Sequence, residues 1–108
     1  MQQEYRECIE MCYACAAACD YCAASCLKEQ DVDMMKNCIR LDTQCAAMCR
    51  LAAQFMALGS DYASQICRLC VELCKACAQE CARHEHQHCQ DCARACNACA
   101  DACLKMAA

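Results

Sequence analysis

The chain has 108 residues, enough for one hydrophobic core but not comfortably for two, and a formal net charge of −4. Basic residues form no patch interleaved with aromatics, which argues against nucleic-acid binding, and charges recur every few residues, which excludes a membrane-spanning segment. Cysteine accounts for 19 residues, against one glycine and no proline.

The scarcity of Gly and Pro, with abundant Ala, Glu, Gln, Leu and Met, predicts helix almost throughout. The first helix is expected over 3–28 and carries Cys8, Cys12, Cys15, Cys19, Cys22 and Cys26. "LKEQDVD" then interrupts the pattern, with Asp31 as a plausible N-cap for a second helix over 31–57 that holds only Cys38, Cys45 and Cys49. Gly59 is a helix stop and Ser60 the next N-cap, leading into a third helix over 61–84 with Cys67, Cys70, Cys74, Cys77 and Cys81. After the polar corner "RHEHQHC" a fourth helix over 87–106 carries Cys89, Cys92, Cys96, Cys99 and Cys103. Short connections make neighbouring helices antiparallel. The expected fold is therefore all-α, a single domain spanning 1–108 built as an up-down-up-down four-helix bundle.

Cysteines spaced by three and four residues occupy the positions that face a bundle core. One or two such thiols would read as small hydrophobes. A whole seam of them leaves space, because a bundle core normally holds Leu, Ile and Val, and shrinking each costs about 2–5 kcal/mol where a cavity remains. Three features argue against a secreted disulfide scaffold: "MQQEYRECIE" has no basic region followed by an apolar run, the number of cysteines is odd, and the chain is helical rather than loop-rich. A reducing cytoplasm is expected. Pairs within a helix have Cβ atoms about 5–6 Å apart, whereas a disulfide wants about 3.5–4.5 Å.

A soft metal ion can bridge sulfurs too far apart to bond one another. Soft thiolates select Cu(I), Zn(II) or iron–sulfur clusters, and the ferredoxin cysteine runs with their following proline are absent. Charge separates the other two. Four thiolates around Zn²⁺ leave −2, so four such sites would bury about −8 in one core. Cu(I) replaces one thiol proton, and two-coordinate ions joined by bridging sulfurs keep the core neutral at up to about one ion per cysteine.

The CxxxC and CxxC alternation over all four helices, "CIRLDTQCAAMC" (Cys38 to Cys49) and "CARHEHQHCQDCARAC" (Cys81 to Cys96) resemble the cytosolic bacterial copper storage proteins. The resemblance covers essentially the whole chain. It implies a cysteine-lined four-helix bundle holding many Cu(I) ions, often assembled into a homotetramer, with no enzymatic activity and a ligand role for all nineteen cysteines. A copper chaperone or copper enzyme would be the exchange partner. Other classes of function remain open: a Zn or Cd buffer of metallothionein type, and a thiol redox reservoir.

Beyond the cysteines, His84, His86 and His88 gather at the corner between helices three and four, on the same end as Met34 and Met35. Imidazole and thioether both hold Cu(I), so this end is a candidate entrance, with His84 favoured because it continues the Cys81 stripe by three. Asp42 falls where a thiol would fit. It either points inward as a hard cap near the copper or pairs with an arginine such as Arg40, whereas a small rotation bringing Leu41 onto the seam would leave it at the edge, and the edge position is preferred. Met48 beside Cys49 is expected to pack rather than bind metal. On helix one, Met11, Tyr13, Ala14, Ala17, Tyr21 and Ala24 form a face too apolar for a solvated exterior, which points to association of bundles. Because Ile, Leu, Met and Tyr flank the stripes, the metal-free chain is expected to fold on its own.

Overall fold

The computed structural model describes residues 3–107. Four helices follow in order: α1 (Gln3–Cys26), α2 (Lys36–Ala57), α3 (Ala63–Ala82) and α4 (Gln87–Met106). Each packs against two neighbours, α1 on α2 and α4, and α3 on α2 and α4, so the helices occupy the corners of a square. The result is a rod of 44 × 17 × 17 Å, its length close to the roughly 36 Å expected of a 24-residue helix plus its corners.

The corners differ from their sequence-based boundaries for local reasons. Helix α1 ends at Cys26 rather than 28, where Lys28 N–H bonds to the Ser25 carbonyl and Glu29 N–H to that of Cys26, tightening the last turn into i→i+3 pairs. The chain re-enters helix through a short 3₁₀ segment, Val32–Met35, so α2 begins at Lys36 rather than 31. Asp31 precedes that segment without capping it; its carboxylate instead meets His86. Gly59 ends α2 as expected, at φ +66°, with Ser60 N–H bonded to the Phe55 carbonyl and Gly59 N–H to that of Met56. This is the Schellman arrangement, which needs a left-handed residue at that position. Ser60 is not the N-cap of α3, which is Tyr62, but its hydroxyl accepts the Tyr62 N–H at 3.1 Å. Helix α3 closes at Ala82, two residues early.

The core consists almost entirely of cysteine and alanine. All nineteen cysteines are at most 1% exposed, and Ala16, Ala46, Ala52, Ala53, Ala78, Ala93 and Ala100 fill the positions beside them. Larger side chains sit further out: Ile9, Ile39, Leu41, Phe55, Ile66 and Leu73 are half buried and seal the seams between helices. Met35 and Met56 are the largest fully buried apolar side chains. The apolar face expected on α1 is present, with Met11, Tyr13 and Tyr21 exposed. Among the described residues no helix is long and apolar enough to cross a membrane.

Candidate metal centre

The 3.6-residue period places every thiol on the inward stripe of its helix, and the narrow square brings the four stripes together. Within one helix, i,i+4 sulfurs lie 3.8 Å apart at Cys22–Cys26 and 4.0 Å apart at Cys15–Cys19. Between neighbours the gaps are as short or shorter: 3.4 Å for Cys38–Cys81, 3.6 Å for Cys45–Cys74 and 3.6 Å for Cys15–Cys96. Even the diagonal pair Cys49–Cys99 is 3.8 Å apart, so sulfurs meet across the bundle axis. All nineteen thiols are free. These separations far exceed the roughly 2.05 Å of a disulfide. They approach the roughly 3.8–4.6 Å expected of two sulfurs sharing an ion at about 2.3 Å, from tetrahedral to linear coordination.

The sulfurs form a continuous array rather than separate nests. Four-thiol groups with all sulfurs within 4.8 Å include Cys12/Cys70/Cys99/Cys103, Cys15/Cys49/Cys74/Cys99, Cys15/Cys19/Cys45/Cys96, Cys19/Cys77/Cys92/Cys96 and Cys22/Cys26/Cys38/Cys89. Consecutive groups share Cys99, Cys15, then Cys19 and Cys96, so at most three of these five could be filled by ions that each require four ligands of their own. Metals that tolerate bridging thiolates can use every sulfur.

Burial and mutual hydrogen bonding set the proton affinity of the thiols. At the histidine end burial pushes Cys89 up to about 12, and Cys26 also rises, chiefly through burial. At the other end, hydrogen bonds from Cys103 and Cys12 hold the Cys8 thiol down, at about 4. Both directions occur at each end, since hydrogen bonds from Cys22 and Cys81 hold Cys38 down and those with Cys12 and Cys67 raise Cys103. Protons are thus shared unevenly between neighbouring thiols, and an incoming soft cation displaces them one per thiol.

Asp42 is fully buried, which corrects the expectation that it lies at the seam's edge. Its Oδ1 accepts from the thiols of Cys77 at 3.2 Å, Cys81 at 3.3 Å and Cys92 at 3.3 Å, while Oδ2 faces Cys38 at 3.7 Å. Arg40 is exposed, and Leu41 is the residue left half buried at the edge. Four S–H donors supply the partners that make burial of the carboxyl tolerable. Burial is the main cause that raises its pKa to about 8, so it is held mainly as the neutral acid at neutral pH. Met48 lines a groove on the outer wall with Leu69, Leu73 and Ala76.

The three histidines are placed differently from one another. His84 lies beyond the end of α3, and its Nε2 pairs with Glu80 at 2.8 Å; no thiol is within hydrogen-bonding reach of its ring among the described residues. His88, in the first turn of α4, turns its Nδ1 onto the thiols of Cys22 at 3.4 Å, Cys89 at 3.5 Å and Cys26 at 4.0 Å. His86 stacks on His88 with ring centroids 5.4 Å apart and planes within 4°. Of the two methionines at this end, Met35 is buried beneath the corner and Met34 is 71% exposed. Sequence reasoning did not find Glu29, which pairs with His86 and His88 together.

A helical bundle whose lumen is an unbroken array of buried free thiols defines a class of soft-metal-binding proteins. Its members include proteins of known structure that match this chain end to end. The Cu(I)-bound copper storage protein BsCsp3 is 45% identical, with a TM-score of 0.94 over 98% of this chain and 100% of that one. The apo form of copper storage protein 3 from Bacillus subtilis is 47% identical, with a TM-score of 0.91 over 95% of this chain and 98% of that one. A cytosolic copper storage protein from Streptomyces lividans, loaded with five coppers, is 38% identical, with a TM-score of 0.94 over 97% of this chain and 92% of that one. The family model described as copper storage protein matches residues 1–108. The chain belongs to the copper storage protein family.

Proposed function

We propose that this chain stores and sequesters Cu(I), holding many ions as cargo between the thiolates that line its lumen, at up to about one ion per cysteine. The observation that carries the reading is the overlap of the four-thiol groups: Cys15, Cys19, Cys96 and Cys99 each belong to two of them. Bridged Zn or Cd clusters could share the same sulfurs, but divalent ions on fully deprotonated thiolates leave a net negative charge inside a core whose cysteines are at most 1% exposed. Bridged Cu(I), at one ion per thiol, uses the whole array and keeps the core near neutral charge.

On this reading the protein stores metal rather than catalysing a reaction, and the whole chain acts as one binding unit. The Streptomyces relative is described as cytosolic, which supports the same compartment here. The exposed apolar face of α1, including Met11, Tyr13 and Tyr21, supports association of copies into a tetramer. Exchange with a copper chaperone or a copper enzyme would supply and withdraw ions. The mouth is the end bearing His84, His86 and His88, where the Nδ1 of His88 meets the outermost thiols. A neutral nitrogen ligand there lets an ion leave its donor by stepwise ligand exchange before anionic thiolates take it deeper.

Metal analysis of protein folded in cells supplied with copper tests the reading. Copper far in excess of zinc, at many ions per chain, is expected. Isolation with only three or four divalent ions per chain, not displaced by copper, would overturn it.

A further inference from the structure

The imidazole that touches the thiols is itself held by a carboxylate from the far side of the mouth. Glu29 stands in the turn after α1, its backbone N–H tied to the Cys26 carbonyl at 3.2 Å. Its Oε2 lies 2.8 Å from Nε2 of His88, a residue 59 positions away in the chain. The same oxygen lies 2.9 Å from Nδ1 of His86, and Nε2 of His86 lies 3.3 Å from Asp31. His86 stacks against the His88 ring, so both ring and carboxylate are pinned. The His88 side chain is 12% exposed and that of Glu29 27%, which shelters the pair from bulk water.

We propose that Glu29 is a positioning residue for copper loading, which fixes the tautomer and orientation of His88 so that a bare Nδ1 faces the outermost thiols. The inference rests on the reading of His88 as a mouth ligand. A neutral imidazole has one N–H and one lone pair, and a carboxylate only accepts hydrogen bonds. With Glu29 beside Nε2, the proton sits on Nε2 and the lone pair on Nδ1. That lone pair then lies within 3.4–3.5 Å of the Cys22 and Cys89 sulfurs, where the thiols donate to it in the metal-free protein. An incoming Cu(I) replaces a thiol proton and finds nitrogen and sulfur ligands already converged. A carboxylate behind a ligating histidine fixes ring direction and raises its basicity, and losing it typically costs about 10–100-fold in metal affinity.

The mouth offers a contrast in Glu80. It also pairs with a histidine, His84 at 2.8 Å, but Asn37 at 3.0 Å and Arg83 at 3.4 Å claim its other oxygen. That pairing ties α2, α3 and the corner together at a ring with no thiol in reach. Glu29 has no such structural partner set, and its two histidine contacts both lie on the rim of the lumen.

The test uses Glu29→Ala and Glu29→Gln, with His88→Ala and a distant exposed carboxylate change, Asp101→Asn, for comparison. Nitrogen-15 NMR of the imidazoles in reduced, metal-free protein reads the tautomer before any copper is present. Transfer of Cu(I) from a chelator complex, followed in time, reads the rate of loading. In the parent protein, a protonated Nε2 and a bare Nδ1 are expected at His88. Glu29→Ala should mix the tautomers and slow loading about 10-fold. Glu29→Gln, whose amide oxygen can still accept, should recover part of both effects. Final capacity and helicity should match Asp101→Asn throughout. An unchanged His88 spectrum and an unchanged loading rate in Glu29→Ala, with His88→Ala slowed, would overturn the role of Glu29 alone. An unchanged loading rate in His88→Ala would overturn the mouth reading beneath it.

Discussion

The two ends of the bundle share one thiol array and close it in opposite ways. At the Gly59 end, Met56 and Ala63 are buried, Tyr5 and Met106 are half buried, and Arg68 donates to the Ala107 carbonyl at 2.6 Å. At the other end, Met35 fills one side of the corner, but His88 spans from the thiols of Cys22 and Cys89 to the carboxylate of Glu29. One end is an apolar plug. The other is a polar chain of ligand-capable groups running from solvent to sulfur. The difference also reaches inward: the layer behind the histidine end holds Asp42 among Cys38, Cys77, Cys81 and Cys92, whereas among the described residues Cys70, Cys74, Cys99 and Cys103 towards the Gly59 end associate with other thiols alone. On the proposed reading, storage needs only the array, and the histidine corner governs traffic.

The largest expected effect comes from breaking the plug. Met56 is 1% exposed, so Met56→Ala should cost the metal-free protein about 2–5 kcal/mol, measured by urea unfolding under reducing conditions. If copper loading also becomes faster, the Gly59 end is a second mouth merely held shut; unchanged loading keeps the two ends distinct.

Asp42→Asn addresses the inner layer. The folded pKa of Asp42 is about 8 against an ordinary 3.8, so the folded state binds a proton that the unfolded chain has released. Stability from this group is therefore present below about pH 4 and is lost as pH rises towards about 8, since the unfolded state there binds fewer protons. Over that window the cost reaches the order of 4 kcal/mol at neutral pH. Asp42→Asn should flatten the difference, seen as a shallower pH dependence of the thermal midpoint than in the parent. An equally steep profile would show that Asp42 is not the group responsible.

Replacing His84, His86 and His88 together with alanine should slow both loading and chelator-driven removal about 10-fold, as expected for loss of a supported metal ligand, while capacity stays nearly constant. His88→Ala alone should account for most of it, because among the described residues His88 is the histidine whose ring lies against the thiols. Rates that do not change would leave these histidines as a solvated corner.

The smallest effect is expected at Gly59. A Cβ there meets nothing within 4 Å, so Gly59→Ala carries only the backbone cost of φ +66°, about 1 kcal/mol, and should leave copper kinetics unaltered. A change in kinetics would couple the plug to the mouth.

The helices and their inward faces were legible because cysteine spacing of three and four is a periodic signal that the whole chain repeats. What was not legible lies where periodicity stops. His84 follows Cys81 by three and looks like the next ligand, but α3 ends at Ala82, so the phase that would aim it inward is lost. His88 sits next to Cys89, off the stripe by sequence, yet the first turn of α4 swings its ring over the lumen. Asp42 was expected at the edge because a small rotation would put Leu41 on the seam in its place; the sequence does not reveal that thiols from two other helices converge on its Oδ1 and make burial of the carboxyl tolerable. Glu29 gave no signal at all, since its meaning depends on a corner 59 residues further along.

The central claim is that the thiols are shared between ions. Titrating the reduced, metal-free protein anaerobically with Cu(I), against a chelator that reports free metal, tests it most directly. Saturation is expected near one ion per cysteine, with no thiol left to react with a thiol reagent. Saturation at three or four ions per chain, with most thiols still reactive, would mean that separate four-ligand sites are filled, and would contradict the account.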